Sequence, residues 1–395
     1  MNDREVVILS GVRTPIGKFQ GGLSSFSATD LGGMVVKEAL RRAGVASDQV
    51  DEVLMGNVLQ AGVGQAPARQ AAIKGGVPAD RPAMTINMVC GSGLRAVMIG
   101  SSEIRAGEAE LIVAGGMESM SNAPYLLPQA RSGYRLGNSQ LIDEMVQDGL
   151  WCAFKNWHMG SAAEHIARRF GISREAQDEY ALASQQKAVA AMEAGKFAAE
   201  IMPVVIPQRK GDPITVAVDE GPRKDTTLEA LAKLKPAFET AGTVTAGNAP
   251  SVNDGASALV ISTLAKAKQL GVKPIARVTG YASGGVEPEE IFYAPVVAVK
   301  RLMAKTGAKI SDYDLIEANE AFAAQCLVDG NELGWDWSRA NVNGGAIALG
   351  HPIGASGARV LVTLIHALKD RGKKTGLATL CLGGGNAVAL SVEML

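Results

Sequence analysis

The amino-acid sequence predicts an α/β protein of two duplicated α/β domains packed face to face, with a large α+β insertion in the first domain. Short apolar runs alternate with segments of helical periodicity over most of the 395 residues. One segment recurs, because residues 35–44 can be laid on residues 298–307 without a gap. A repeat distance well above ~100 residues is typical of duplicated domains rather than of a solenoid.

Composition excludes several classes of function. Hydrophobic residues make up 47% of the chain and charged residues 20%, which is enough apolar material for two or three domain-sized units. The formal net charge of −1 provides no global attraction to nucleic acid or to an anionic membrane. Apolar stretches are too short for a membrane span, and the acidic start of the chain does not resemble a leader peptide. Four scattered cysteines favour a reducing cytosol, so we expect a cytoplasmic protein.

The first half is predicted to alternate strands and helices. Val6–Leu9 is typical of a buried strand, and Thr29 or Asp30 can cap a helix that stops at Gly44. The pattern continues with the following elements: a strand at 50–58, a helix at 70–73, a helix from about Gly91 to Gly107, and a strand at 111–114.

From Ser121 to about Thr240 the alternation is interrupted by irregular segments around one clear helix, Ser173–Ala194. Strands at 258–261, 276–280 and 315–318 and a helix at 358–368 restore it. We therefore assign residues 1–120 and 246–270 to an N-terminal half, 121–245 to an inserted loop domain and 271–395 to a C-terminal half.

Cys90 follows an apolar run and precedes Gly91, where helical pattern begins. Unpaired N–H groups and the helix dipole at such a position favour a thiolate, which makes Cys90 a candidate nucleophile. The alternative is a buried structural cysteine in a glycine-rich turn.

His351 stands in the glycine-rich segment 343–357 of the second half, roughly where Cys90 stands in the first. Turns after corresponding strands meet at one crevice, so the duplication predicts that thiol and imidazole lie together. A histidine that only serves a turn is the alternative. An imidazole beside a thiol is what a cysteine nucleophile needs.

Two further segments follow predicted strands. Cys381 ends the last strand before three glycines whose N–H groups can stabilise an oxyanion, and Asn319 follows the strand at 315–318. The simpler alternatives are a buried cysteine beside glycines that permit tight packing, and an asparagine that caps a helix. Together these groups suit a reaction in which one thiol carries an acyl group and the other moves a proton. No nucleotide-binding loop or metal-ligand cluster is apparent in the sequence.

In four ordered motifs the chain resembles the thiolase family, the acetyl-CoA C-acyltransferases, over nearly its whole length. These motifs are Cys90-Gly91-Ser92-Gly93, Asn319-Glu320-Ala321-Phe322, Gly350-His351-Pro352-Ile353-Gly354 and Cys381-Leu382-Gly383-Gly384-Gly385.

The resemblance implies that Cys90 is acylated, that His351 activates it and that Cys381 is the acid/base. Asn319 would hold a water that forms one oxyanion hole with His351, and the N–H groups of Cys90 and Gly383 would form the second. It further implies ping-pong condensation and thiolysis of acetoacetyl-CoA and of longer 3-ketoacyl-CoA.

The same resemblance assigns coenzyme A to the loop domain, as substrate and product rather than as a permanently bound cofactor, and expects a homo-oligomer, either dimer or tetramer. Its CoA-contacting positions here are His158, Met159, Arg223, Phe238, Ala246, Ser251 and Phe322.

Two segments depart from the family pattern. Pro250 replaces a serine that commonly bonds the pantetheine, and Ser251 is the candidate substitute. Residues 291–297 replace a smaller, glycine-containing segment, so either the acyl pocket has a different shape or a surface turn has drifted.

Two other functions compete with thiolase activity. A ketoacyl synthase usually needs two catalytic histidines, but the second position carries Asn319-Glu320. A noncatalytic CoA-binding relative would need neither Cys90 nor Cys381.

Overall fold

The computed structural model describes residues 4–395. The strands, in chain order, are β1 Val6–Arg13, β2 Gly17–Lys18, β3 Glu52–Gly56, β4 Ala83–Ile86, β5 Leu111–Ser119, β6 Tyr125–Leu126, β7 Ile142–Asp143, β8 Trp151–Cys152, β9 Trp157–His158, β10 Val204–Ile206, β11 Ile214–Val216, β12 Asn253–Thr263, β13 Ala276–Gly285, β14 Leu315–Ala318, β15 Thr375–Leu382 and β16 Asn386–Met394.

The α-helices are α1 Ala28–Ala43, α2 Pro67–Lys74, α3 Ser92–Ala106, α4 Met159–Phe170, α5 Arg174–Glu193, α6 Leu228–Ala232, α7 Leu264–Gln269, α8 Ala294–Thr306, α9 Ala323–Leu333, α10 Ala346–Leu349 and α11 Ile353–Asp370. Short 3₁₀ turns occur at Ser47–Gln49, Met120–Asn122, Pro288–Tyr293 and Ile310–Asp312, and a π-helical segment occurs at Met145–Leu150.

The strand order confirms the duplication. In the first half the order is β4-β3-β5-β12-β1, and in the second half it is β14-β15-β16-β13. The strands β3-β5-β12-β1 and β14-β15-β16-β13 each form one parallel pair followed by two antiparallel pairs, and β4 adds a second parallel pair at the edge of the first half. Only two residue pairs join β1 to β13, so a short seam links the two sets.

Two helices lie between the halves. Side chains of α3 and α11 form one apolar core with strands of both sets, while α1 and α2 cover the outer face of the first set and α8 that of the second. The halves therefore face each other through a shared helix layer.

Glycines allow α3 and α11 to approach closely. A Cβ at Gly93 would lie 2.6 Å from the backbone nitrogen of Ala358, and one at Gly357 would lie 2.3 Å from that of Leu94. Larger residues would force the helices apart. This contact brings the start of α3, after Cys90, beside the start of α11, after His351.

Some sequence predictions need correction. The glycine-rich segment after His351 was expected to remain a turn up to residue 357, but α11 begins at Ile353, because tertiary packing favours helix there despite the glycines. The strand expected at 50–58 is shorter, and its central part forms β3.

The insertion contains more helix than its pattern predicts. Its predicted long helix is α5, whose capping residue Ser173 accepts a hydrogen bond from the backbone of Ala176. No helix was predicted at α4, which is capped by the ring of His158. The boundaries proposed between the three domains stay predictions. Within residues 4–395 no helix has the length and apolar character needed to cross a membrane.

Candidate active site

Cys90 sits in a strained turn between β4 and α3. The preceding residue, Val89, has a φ of 47°, an unfavourable conformation for a β-branched side chain that costs roughly 1–3 kcal/mol. Ser92 holds the turn, because its hydroxyl donates to the carbonyl oxygen of Val89 at 2.6 Å and accepts from the Met88 N–H at 2.9 Å. Strain of this kind in a well-braced turn is typical of a functional position.

The resting thiol is not the thiolate that the helix position predicts. Burial raises the pKa of Cys90 to about 12, and the Glu118 carboxylate adds to the rise. The N–H groups of Cys90 and Gly383 lie against the sulfur and act in the opposite direction. Desolvation thus outweighs the favourable N–H groups, so Cys90 is a neutral thiol in the folded chain.

His351 has a defined tautomer. Its Nδ1 lies 2.6 Å from the Ser356 hydroxyl, which itself donates to the carbonyl oxygen of Pro352 at 2.9 Å. Because that hydroxyl proton is already used, Nδ1 must carry a proton and donate it. Burial, reinforced by the charge of Arg359, lowers the pKa of His351 to about 3. The ring is therefore neutral, and its unprotonated Nε2 can act as a base.

Asn319 lies beside this ring and does not cap a helix. Its Nδ2 is 3.4 Å from His351 Nε2, and α9 begins four residues later with Phe322 as its capping position. Asn319 is fully buried, and its Oδ1 finds no hydrogen-bond partner in the described chain. A buried acceptor left free in this way can receive a hydrogen bond from a water or a substrate.

Cys381 reaches the same place from the end of β15. It is buried, and its pKa is raised well above the usual range by burial, with a further contribution from Cys90. Gly383 follows the strand and directs its N–H to the Cys90 sulfur.

One apolar cavity of about 260 Å³ joins these groups. Cys90, His351, Cys381 and Gly383 all line it, while Asn319 lies beside His351 and is not part of the lining. Of the positions assigned to CoA, His158, Met159, Phe238, Ser251 and Phe322 also line it. The ring of His158 stacks on Phe238 with centroids 4.7 Å apart.

A more polar groove of about 520 Å³ adjoins the cavity, since Ala249 and Ser251 line both. The remaining two CoA positions, Arg223 and Ala246, lie in this groove. The structure therefore distributes the sequence-predicted site residues between two connected spaces, except for Asn319, which lies beside His351.

Both departures from the family pattern occur at the cavity wall. Pro250 lines the cavity, and the hydroxyl of Ser251 is 3.0 Å from Asn253 Oδ1. Phe292 is not on a surface turn: it is 2% exposed and packs in one cluster with Cys381 and Phe322.

Sequence reasoning missed several supporting residues. Ser356 fixes the His351 ring, and Asn253 accepts from the His351 backbone at 2.8 Å. Only the placement of Ser356 five residues after a candidate base could have suggested its role. Glu118 gave no local signal.

Residues 4–395 contain no group of three or more His, Cys, Asp or Glu side chains arranged to hold a metal ion. The chemistry available at this site comes from thiols, an imidazole, an amide and backbone N–H groups.

Such a constellation on a duplicated α/β fold defines a class, the enzymes that transfer acyl groups through cysteine. The family description "Thiolase, N-terminal domain" matches residues 6–265, and "Thiolase, C-terminal domain" matches residues 272–394. The chain belongs to the thiolase family, as its motifs predicted.

Individual proteins that are similar to this chain are named acetyl-CoA acetyltransferases. The chain is 57% identical over 389 residues to an acetyl-CoA acetyltransferase of Pseudomonas aeruginosa, covering 98% of this chain and 99% of that protein. It is 56% identical over 393 residues to one from Escherichia coli, covering 99% and 100%. The crystal structure of the Bacillus anthracis acetyl-CoA acetyltransferase superposes with a TM-score of 0.97 at 43% identity, over 99% of both chains.

Proposed function

We propose that this protein is an acetyl-CoA C-acyltransferase that cleaves and forms 3-ketoacyl-CoA thioesters through an acyl group on Cys90. The observation that carries the proposal is the neutral His351, which has an unprotonated Nε2 and lines one cavity together with both cysteines. The names of its relatives support the same activity.

In thiolysis, the Cys90 sulfur attacks the 3-keto carbonyl of the substrate as the thiol proton passes to His351 Nε2. The N–H groups of Cys90 and Gly383 stabilise the oxyanion of the tetrahedral intermediate. Cleavage of the bond between carbons 2 and 3 leaves the acyl group on Cys90 and releases the enolate of acetyl-CoA.

The enolate then takes its proton from Cys381. A thiol with a strongly raised pKa suits this step, because it holds its proton until a strong base is generated beside it. The protonated His351 and a water bound to Asn319 Oδ1 would stabilise the enolate oxygen. Condensation is the reverse of this step.

Coenzyme A closes the cycle. The Cys381 thiolate removes the proton of the CoA thiol, the CoA sulfur takes the acyl group, and the departing Cys90 sulfur regains its proton from His351. Every group returns to its starting state, which predicts ping-pong kinetics.

For binding, we assign the pantetheine arm to the apolar cavity, beside the His158–Phe238 stack and Met159. The nucleotide end would occupy the adjoining groove, where Arg223 provides a cation for phosphate. Ser251, at the junction of the two spaces, would carry the contact that Pro250 cannot make.

Cavity size favours short acyl chains. The wall beside Cys381 is formed by Ile291, Phe292 and Phe322, with the rings of Phe292 and Phe322 in edge-to-face contact at 5.2 Å. We infer that acetoacetyl-CoA is the preferred substrate and that longer chains react more slowly.

A homo-oligomer and a cytosolic site of action complete the proposal. Apolar side chains of the loop domain are exposed in this single chain, including Leu136, Leu127 and Tyr125, and a second copy could cover them. The four cysteines are free, as a reducing compartment would keep them. Light scattering coupled to gel filtration measures the oligomeric state.

Replacing the nucleophile tests the proposal. We expect Cys90→Ser to lose nearly all thiolysis of acetoacetyl-CoA by CoA, because a serine hydroxyl is a far weaker nucleophile beside a neutral imidazole. Cys152→Ser, at a buried cysteine that does not line the cavity, is the matched control. Wild-type turnover in the Cys90→Ser protein would refute the assignment.

A further inference from the structure

Glu118 is a fully buried carboxylate at the end of β5 that the proposed reaction does not use. Four N–H groups surround it. It accepts hydrogen bonds from the side-chain amide of Asn57 at 2.7 Å and from the backbones of Gly354, Val58 and Leu59 at 2.8, 3.1 and 3.2 Å.

These bonds join distant parts of the chain at the site. Gly354 is the second residue of α11 and follows His351 by three positions. The capping position of α11, Pro352, makes no side-chain cap of its own, so the carboxylate of Glu118 supplies the cap from another strand. Through Gly354, Glu118 therefore fixes the start of the helix that presents His351.

The same carboxylate holds the loop against which the nucleophile turn packs. Val58 and Leu59 form one apolar cluster with Ile353, and Val89 and Cys90 lie against that cluster. Glu118 is thus bonded to both supports of the Cys90–His351 pair.

We propose that Glu118 is a positioning residue that braces His351 against the Cys90 turn, and that its carboxylate, when it is ionised, opposes ionisation of the Cys90 thiol. The inference rests on the roles proposed above for Cys90 and His351. It adds a second role for the carboxylate above about pH 8, where its charge lowers the reactivity of the resting thiol toward alkylating reagents.

The surroundings of Glu118 favour its charged form in one respect and oppose it in another. All four partners are N–H donors, so a protonated carboxyl would lose at least one bond. Burial nevertheless raises the pKa of Glu118 to about 8. At pH 9 most of the carboxylate is charged, and in that form it adds to the rise that burial causes in the pKa of Cys90.

Alkylation of Cys90 separates this role from a purely structural one. Glu118→Gln removes the charge and turns an amide N–H toward a backbone N–H. At pH 9 we expect Cys90, located by peptide mass spectrometry, to react ~3- to 10-fold faster with iodoacetamide. The ratio of the iodoacetate rate to the iodoacetamide rate should also rise, because only the anionic reagent is repelled by Glu118 itself.

Greater exposure of the thiol would accelerate both reagents equally and leave their ratio unchanged. Glu164→Gln is the matched control: Glu164 is a buried carboxylate that accepts N–H groups of Thr243 and Val244 in the loop domain. This variant should leave both the Cys90 alkylation rate and the reagent ratio at wild-type values.

Turnover tests the positioning part. We expect kcat for thiolysis to fall about tenfold or more in Glu118→Gln, although its nucleophile ionises more easily. Glu118→Asp keeps the charge but not the reach, so its reagent ratio should stay at the wild-type value while kcat falls. If Glu118→Gln does not fold, kcat of Glu118→Asp still tests the positioning role of Glu118.

An unchanged reagent ratio in folded Glu118→Gln, or undiminished kcat in Glu118→Asp, would overturn the proposal. Cys90 alkylation does not depend on turnover. Failure of the proposed function would appear instead as activity in Cys90→Ser, so the two failures are distinguishable.

Discussion

Phe292 should set the upper limit of acyl chain length. The ring is 2% exposed and packs with Cys381 and Phe322 at the cavity wall. Replacing it with alanine removes most of a wall from a space of about 260 Å³. An acyl chain that is two methylenes longer can then be buried where the ring was.

The size of the effect follows from the apolar surface. Each buried methylene contributes about 0.8 kcal/mol, so two contribute about 1.6 kcal/mol. If this free energy stabilises the transition state, the ratio of kcat/KM for the six-carbon substrate to kcat/KM for the four-carbon substrate changes roughly 15-fold. The ratio should rise by that factor in Phe292→Ala and by less in Phe292→Leu.

Thiolysis rates across 3-ketoacyl-CoA substrates of four, six and eight carbons measure this ratio directly. Loss of a buried ring costs about 3–5 kcal/mol of stability, so the leucine variant guards against misfolding. Tyr293→Leu is the control, since this neighbouring aromatic residue does not line the cavity. Unchanged ratios in folded Phe292 variants would refute the assignment of the wall.

Two further predictions concern His351. In Ser356→Ala the Nδ1 proton of His351 loses its acceptor, so the reactive tautomer is no longer fixed. In steady-state thiolysis assays, the loss of this hydrogen bond should lower kcat ~3- to 10-fold with little change in KM. The pKa of His351 is about 3 in the folded chain, below its ordinary value of 6.5. As the pH falls below 6.5, only the unfolded chain binds a proton at this histidine, and this lowers the free energy of unfolding. Between pH 7 and pH 5 this proton binding lowers the free energy of unfolding by about 2 kcal/mol, and the decrease should be missing in His351→Asn. Urea unfolding of both proteins at the two pH values measures the difference. Identical pH dependence in the two proteins would contradict the prediction.

The duplicated fold was predictable because its signals are local and repeated. Apolar runs followed by helical pattern recur in both halves, and the strand order reproduces that repeat. The start of α11 was not predictable, since Gly354 and Gly357 are individually poor helix formers. They are helical because α11 packs closely on α3 and is capped by Glu118, which is 236 residues away from Gly354.

The site was predictable as a set of residues but not as an electrostatic system. Motif order and the duplication were sufficient to place Cys90, His351 and Cys381 together. The helix-start position of Cys90 indicated a thiolate, yet burial dominates and the thiol stays protonated. Burial depends on the whole fold, and no local pattern reports it.

The acyl-enzyme itself provides the most direct test of the division of labour between the cysteines. Cys381→Ala should still accept an acetyl group from acetyl-CoA on Cys90, although more slowly because CoA must leave as a thiolate. It should then stall, because the group that moves the α-proton is gone. Mass spectrometry of the digested protein should find one acetyl group on the Cys90 peptide, and none in the Cys90→Ser/Cys381→Ala double variant. An unmodified Cys90 peptide, or an acetyl group on another residue, would contradict the mechanism.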